Sequence, residues 1–332
     1  MQAYAFELSG EHPTLPRSEA LALVRVYASS WHELLYLDQC LIVEACGADM
    51  HAISRRLALS HSIICVLSIM DASAEGIAEG MASIALPYLP YRVRARSVRS
   101  AGMSGQAVEQ AIGRELFRRG LRADLKHPSL DLRAIITTGK IVFGYLISSV
   151  DRSSFEARRP HLKQFFYPGV LMPRTARALV NMTCIREDER LLDPFAGTGG
   201  ILVEACLAGA RSVGVDVQEK LARGAKCNVC GMNCTIIAGD ARRLPIKDES
   251  IDAVVTDPPY GRSAVIRAES KEELLDLGLR EIHRVLRPGR LAVVVADRLI
   301  DDLIMGSGLK IVEKHSERVH RSLTRQIFVC SA

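Results

Sequence analysis

Long apolar runs are missing from this sequence. The longest, such as Leu291–Ala296, stop far short of the roughly 18 residues that a membrane-spanning helix needs. The opening MQAYAFELSGEH carries Glu7 and Glu11 and no basic start, which argues against a signal peptide. A soluble, cytoplasmic protein is therefore expected. A disulfide framework is missing as well: nine cysteines, an odd number, are scattered through 332 residues, which suits reduced thiols. Cys227, Cys230 and Cys234 do cluster, but no Cys or His pair stands at finger spacing nearby. The plainer reading is a helix end at Gly231 that passes into a strand at Thr235–Ala238, and no metal site is expected. There are no internal repeats and no low-complexity segments.

A large net charge is also missing, since the whole chain carries +5. The charge is nevertheless unevenly spread. Residues 92–133 hold ten Lys or Arg against four acids, so the remainder is close to neutral. A concentrated basic stretch on a near-neutral chain is the footprint expected for a polyanion partner. In YRVRARS, period-two alternation puts Arg92, Arg94 and Arg96 on one side of a strand and Val93 and Ala95 on the other. SGQAVEQAIGRELFRRG reads as a helix with Val108, Ala111, Ile112, Leu116 and Phe117 inward and Arg114 and Arg118 exposed. A solvated charged face explains such residues as well, and the local surplus is what favours an RNA contact. Lys126 falls in the same basic stretch.

The length suits about two domains, and a hydrophobic content of 48% is ample for their cores. The C-terminal half alternates strands and helices. RLLDPF, SVGVDV, TIIAGD, IDAVVTD and RLAVVVAD are the expected strands, with helices between most of them. KEELLDLGLREIHRVL has the apolar spacing of a helix packed on a sheet, and Pro288-Gly289 is expected to end it. LKIVEKH and TRQIFVC suggest a final hairpin. Such alternation implies a mostly parallel sheet covered by helices on both faces. The N-terminal half has shorter, mixed elements, with AYAFEL as a strand and SEALALVRVYAS as a helix. The expected divisions are a small α+β domain at 1–49, a second at 50–150, a Pro-punctuated linker at 151–174 and the sheet domain at 175–332.

LLDPFAGTGGILVEA places Gly197, Gly199 and Gly200 between a strand and a helix, where a ligand can approach the backbone. The dehydrogenase pattern G-x-G-x-x-G fails in register, because Leu202 stands at the third glycine position. Asp216 ends the next strand, where a carboxylate can accept both ribose hydroxyls of a nucleoside. Asp240 ends the third, placed to accept from an adenine amine. Each is equally able to cap a helix, but three such features at successive strand ends favour a cofactor.

These motifs resemble those of the S-adenosylmethionine-dependent class I methyltransferases, with a Rossmann-like, seven-stranded and mostly parallel sheet. DPFAGTGG matches their first motif, Asp216 and Asp240 the next two, and DPPY at 257–260 the fourth motif of enzymes that methylate exocyclic or amide nitrogen. The resemblance implies that Asp193, Pro194, Phe195, Ala196, Gly197, Thr198 and Gly199 hold S-adenosylmethionine together with Asp216, Val217, Asp240, Ala241 and Asp257. It also implies that Asp257, Pro258, Pro259 and Tyr260 form the catalytic turn. An exocyclic base amine is a poor nucleophile because its lone pair is delocalised into the ring. The Asp257 carboxylate and the Pro258 carbonyl would accept its N–H groups as charge develops. The prolines fix φ, Tyr260 offers a stacking face, and Gly261 lets the chain turn away.

Residues 50–150 resemble the THUMP RNA-binding module in YRVRARSV, AVEQAIGRELFRRG and ADLKHPSLDLRAII, and the preceding piece resembles its ferredoxin-like companion. With the junction RRPHLKQFFYPGVLMPRTARALVNM, DPPYG and VHRSLTRQIFV, nearly the whole chain resembles the archaeal tRNA guanine-N2 methyltransferases that act on guanine 10. This implies methylation of N2 once or twice, with the base flipped into the pocket. Phe165, Phe166 and Tyr167 are candidates to line that pocket, and a packed linker explains them equally well; Arg321 and Arg325 are candidates to touch phosphate, and a hairpin with an exposed basic face accounts for them as well. Relatives in some lineages work with a small zinc-binding activating subunit, and CTIIAG could be an edge strand open to such pairing. Three other readings remain open: a different tRNA or an rRNA guanine, a non-catalytic RNA-binding factor, and a DNA adenine or protein glutamine methyltransferase. The basic N-terminal half disfavours the last.

Overall fold

The computed structural model describes residues 1–98, 102–259, 270–321 and 323–332. The chain divides into two compact units. One comprises Met1–Ala20, Tyr27–Arg55 and Ser60–Asp151, and the other Leu21–Val26, Arg56–Leu59 and Arg152–Ala332.

The chain up to residue 151 forms β1 (Gln2–Leu8), α1 (Leu15–Tyr27), β2 (Ser30–Leu37), β3 (Cys40–Cys46), α2 (Met50–Arg56), β4 (Ser60–Asp71), α3 (Ala74–Ala82), β5 (Tyr91–Ser97), α4 (Gly105–Arg118), β6 (Leu130–Thr137) and β7 (Lys140–Ser149), and all seven strands belong to the first unit. A single sheet of order β2-β3-β1-β4-β7-β6-β5 runs through it, with β1 paired antiparallel to both β3 and β4. The stretches 1–49 and 50–150 therefore share one sheet. β5 and β6 pair in parallel, and β5 is an edge strand. The helix α4 is capped by Ser104, whose hydroxyl accepts from the amide of Ala107. Its inward stripe is Val108, Ile112 and Leu116, spaced by four, and packs with Val93, Leu132 and Phe143 in one core.

In the second unit, two short 3-10 turns (Ser153–Arg158 and Pro160–Leu162) lead to α5 (Pro173–Met182). Then follow β8 (Arg190–Asp193), α6 (Gly200–Leu207), β9 (Arg211–Asp216), α7 (Glu219–Asn228), β10 (Cys234–Ala238), β11 (Ile251–Thr256), α8 (Lys271–Val285), β12 (Leu286–Ala296), α9 (Asp301–Gly306), β13 (Lys310–His320) and β14 (Leu323–Ser331). The sheet order is β10-β9-β8-β11-β12-β14-β13. The first five strands pair in parallel, and the β13–β14 hairpin closes the sheet antiparallel. β11 is buried at every position, as a central strand between two helical layers must be. Ser270 caps α8 by accepting from the amide of Glu273, the capping arrangement written in its sequence.

One expectation fails. α8 ends at Val285, and Pro288 and Gly289 lie inside β12. The pairing jumps from Ile251–Leu286 to Ala253–Leu291, so the Pro-Gly pair occupies a bulge. A bulge needs no ladder donor from proline and accepts the positive φ of Gly289.

β4 is twelve residues long and pairs with β7 through two register shifts. Gly144 of β7 lies beside them, and a Cβ there would sit 2.0 Å from the carbonyl oxygen of Cys65. Backbone cannot yield as a side-chain tip can. Gly144→Ala is expected to cost roughly 3 kcal/mol, seen as a lower urea midpoint by circular dichroism.

Candidate active site

The parallel strands of the second unit all end at one edge, and the chemistry-bearing residues follow their last positions. Asp193 ends β8, Asp216 ends β9, Asp240 follows β10 and Asp257 follows β11. This edge is where open α/β sheets bind ligands. A cavity of about 690 Å³ opens there, within the range of a small-molecule site.

Asp193 is 1% exposed. Its Oδ1 accepts from the amide of Phe195 at 3.1 Å and from the hydroxyl of Thr256 at 3.0 Å, which joins the ends of β8 and β11. Burial pushes its carboxyl up to about 7 in spite of those two donors. Asp216 accepts from the amide of Gly197 through Oδ2 and from the amide of Gln218 through Oδ1, both at 2.9 Å. Burial raises its pKa, and the two amides oppose that rise. Each carboxylate oxygen has two acceptor positions, so capacity remains for ribose hydroxyls. Gly197 has φ +50°, and a Cβ built on it would find no atom nearer than 3.9 Å. The loop backbone is therefore open to a ligand. Asp240 is held by Arg242, whose Nη2 donates to Oδ2 at 2.7 Å, and this pairing keeps the carboxyl below its usual range.

The cavity brings together Asp193, Pro194, Phe195, Ala196, Gly197, Thr198, Asp216, Val217, Asp240, Ala241, Asp257, Pro258 and Pro259. Gly199 is not among its lining residues. It begins α6 with φ +76°, and a Cβ there would meet Val229 and Ala225. Its lack of a side chain serves helix packing and a left-handed turn. Tyr260 and Gly261 lie outside the described residues.

Several walls escaped sequence reading. Tyr167 to Met172 line the cavity as a continuous turn, of which only Tyr167 was anticipated. Phe165 packs instead on α7, where a Cβ at Gly224 would come 2.1 Å from its ring, and Phe166 is 48% exposed. Val319, His320, Leu323 and Arg325 come from the terminal hairpin, and Asp297 follows β12. VHRSLTRQIFV carries part of the family resemblance, but its residue types do not place these side chains at the cavity. They reach the cavity because β14 pairs with β12. Arg325 is 6% exposed and bridged to Glu317 at 3.4 Å, whereas Arg321 is exposed.

In the first unit, the three strand arginines each face a carboxylate. Arg92 pairs with Asp131, Arg94 with Glu109 at 3.7 Å and Arg96 with Glu7 at 2.8 Å. Arg94, Arg96, Arg114, Arg118 and Lys126 are exposed. Arg118 pairs with Glu115, and Arg114 donates to the carbonyl of Gln110. Phe117, expected inward, is 74% exposed. It follows Leu116, and one residue turns the helix by about 100°, which carries it off the buried stripe. It lines a shallow surface hollow together with Arg114 and Arg118.

Carboxylates at successive strand ends and the Asp257-Pro258-Pro259 segment, all lining one cavity, suit methyl transfer from S-adenosylmethionine to an amine. Comparisons agree. Residues 160–327 match the family model UPF0020, described as an RMKL-like methyltransferase domain. The chain is 32% identical to the tRNA (guanine(10)-N2)-dimethyltransferase of Methanothermobacter thermautotrophicus, over 97% of each chain. It is 33% identical to the enzyme of that name from Pyrococcus abyssi, over 68% of this chain and 69% of the relative. A tRNA (guanine(6)-N2)-methyltransferase of Thermus thermophilus is 30% identical over 63% of this chain and 64% of its own. Among solved structures, TrmN from Thermus thermophilus shares the fold with a TM-score of 0.55, at 21% identity over 99% of each chain. The chain belongs to the family of the archaeal tRNA (guanine(10)-N2)-dimethyltransferases. It is a methyltransferase, and its cofactor is S-adenosyl-L-methionine. The residues present fit that cofactor, with an open glycine loop and acceptor capacity on Asp216.

A buried acid with a raised pKa has a signed consequence. The folded state holds the Asp193 proton more tightly than the unfolded chain does, so this group favours folding most below about pH 4. That contribution is lost as pH rises through about 7. The stability of the wild type relative to Asp193→Asn is therefore expected to fall between pH 4 and 7 and to level off above. Urea unfolding of both proteins at pH 4.5, 6 and 7.5 checks it.

Proposed function

We propose that this chain transfers methyl groups from S-adenosylmethionine to the exocyclic N2 of guanine in tRNA, at guanine 10, once or twice per base. The observation that carries the reading is the Asp257-Pro258-Pro259 turn, which lines the same cavity as the glycine loop and Asp216. It is supported by 32% identity along 97% of the chain to a guanine(10)-N2 enzyme.

When bound, the cofactor supplies a methyl group on a positively charged sulfur. The chain's own residues do the rest. The Asp257 carboxylate accepts from one N2–H and favours the pyramidal amine that can attack. The Pro258 carbonyl accepts from the other, and no proline N–H is there to oppose it. Tyr260 stacks on the base. On the cofactor side, Asp216 takes the ribose hydroxyls, Asp240 and Ala241 border the adenine, and Val217 packs beside the ribose. The loop from Asp193 to Gly199 carries the methionine end. A guanine inside folded RNA must be flipped out to reach this turn.

RNA binding belongs to the basic half, read as a ferredoxin-like domain at 1–49 and a THUMP domain at 50–150. The segment 151–174 is then the linker and 175–332 the methyltransferase domain. Arg92, Arg94, Arg96, Arg114, Arg118 and Lys126 contact phosphate. The guanidinium groups of these pairs stay exposed beside partly buried carboxylates, where a polyanion can reach them. A small zinc-binding activating subunit is a fitting partner for β10, an edge strand whose one neighbour in the sheet is β9. No helix of the described residues is long and apolar enough to cross a membrane. A tRNA substrate fits a cytoplasmic enzyme.

A second reading is the neighbouring reaction at guanine 6, favoured by the 30% identity to an enzyme of that name. Incubation of the protein with labelled cofactor and unmodified tRNA transcripts, followed by nucleoside mapping, separates the two. Label at guanine 10 is expected. Asp257→Ala should reduce transfer at least a thousandfold, while S-adenosylhomocysteine affinity measured by calorimetry stays within threefold. Equal loss of both would mean that Asp257 serves the cofactor and not the base. Reversing Arg114 and Arg118 to Glu should weaken tRNA binding and flatten its salt dependence, as measured by filter binding across a salt series.

A further inference from the structure

The methionine end of the cofactor carries a carboxylate and an ammonium group, and the motif residues supply no cation to meet the carboxylate. A cation stands beside the loop. Lys163 lies in the segment between the second 3-10 turn and the cavity wall at Tyr167. Its chain is pinned on both sides. Pro160 is buried. The amide of Phe165 donates to Asn228, whose side-chain amide donates back to the Phe165 carbonyl at 2.8 Å. The Phe165 ring rests on Gly224.

From that fixed position the lysine reaches α6. Gly200 lines the cavity, and the one atom found within 4 Å of a Cβ built on it is Nζ of Lys163, at 3.8 Å. The space beside Gly200 is otherwise open. Glu204, one helical turn further on and 1% exposed, is already taken by two arginines. Arg158 donates to it at 2.7 and 3.2 Å and Arg177 at 2.9 Å. Both guanidinium groups also lie over the ring of Phe155. Three cations thus face one carboxylate, and Lys163 has no ion pair within 4 Å among the described residues. Burial and Arg158 push the pKa of Lys163 down, and Glu204 offsets part of that. A partly desolvated ammonium short of an anion gains most from a carboxylate brought in by a ligand.

The order of the strands says which end of the cofactor arrives there. Asp240 follows β10 and Asp216 ends β9, so the adenosine lies over those strands in the orientation proposed above. The loop after β8 is left for the amino-acid end. We propose that Lys163 binds the α-carboxylate of S-adenosylmethionine, reaching it across Gly200. The surplus of positive charge also selects the carboxylate over the α-ammonium, and so orients this end. The inference rests on that cofactor orientation.

The test compares two ligands on the full-length protein by calorimetry. S-Adenosylhomocysteine carries the amino-acid end, whereas 5′-methylthioadenosine shares the adenosine and thioether but has no carboxylate. Lys163→Met is expected to weaken S-adenosylhomocysteine by about tenfold to a hundredfold. Its affinity for methylthioadenosine should stay within about twofold, which shows in the same sample that the pocket is folded. Lys163→Arg should keep S-adenosylhomocysteine affinity within about threefold. Unchanged S-adenosylhomocysteine affinity in Lys163→Met overturns the proposal, and so does an equal loss of both ligands, which would make the lysine a support of the fold. Asp216→Ala tests the orientation separately, since it should weaken both ligands alike. If it weakens neither, the orientation fails. If it behaves as expected and Lys163→Met does not, only the lysine's role fails.

Discussion

Asp216 accepts one hydrogen bond from the amide of Gly197 and another from the amide of Gln218, and through them one carboxylate ties the loop after β8 to the start of α7. The loop needs such a tie. Gly197 and Gly199 both have positive φ, which leaves the backbone open to a ligand but gives it no side chains to hold it. The adjoining carboxylate, Asp193, does the same work between β8 and β11 through Phe195 and Thr256. The strand ends are thus joined by buried acids rather than by apolar packing. That costs desolvation, visible in the raised pKa of both groups. In return the acceptors stay rigid and the donors of the loop stay satisfied.

The distribution of charge follows a related logic. In the second unit, Asp193 and Asp216 are buried and hydrogen-bonded at the cavity, while cations surround Glu204 behind the loop. A cofactor with a positive sulfur at one place and a carboxylate at another matches such separated charges. In the first unit, basic residues lie on an edge strand and on one face of α4, paired loosely with carboxylates. Pairs with an exposed guanidinium contribute little to stability. The exposed Phe117, which shares a surface hollow with Arg114 and Arg118, adds a flat apolar surface there.

Much of the catalytic half is legible in the chain. The alternation of strands and helices, the glycine loop and the acids at 193, 216, 240 and 257 all reflect local periodicity and strand ends. Where reading failed, the cause was physical in each case. Pro288-Gly289 suggested a helix stop, but a parallel strand can absorb both residues in a bulge. Phe117 fitted a helical apolar stripe by type, yet Val108, Ile112 and Leu116 already fill the inward face. For Phe165 the sequence left a pocket wall and a packed linker both open, and the fold decides for packing on Gly224. The carboxylate partners of the strand arginines lay as far away as Glu7.

By itself the sequence determined which residues could do chemistry and the order in which strands would present them, because both depend on neighbours close along the chain. The tertiary structure alone decided which distant side chains complete the cavity. His320 and Leu323 arrive because β14 pairs with β12, and Lys163 meets Gly200 because Phe165 and Asn228 pin its segment to α7. Such contacts depend on pairing and packing between remote segments, and no local pattern of residue types encodes them.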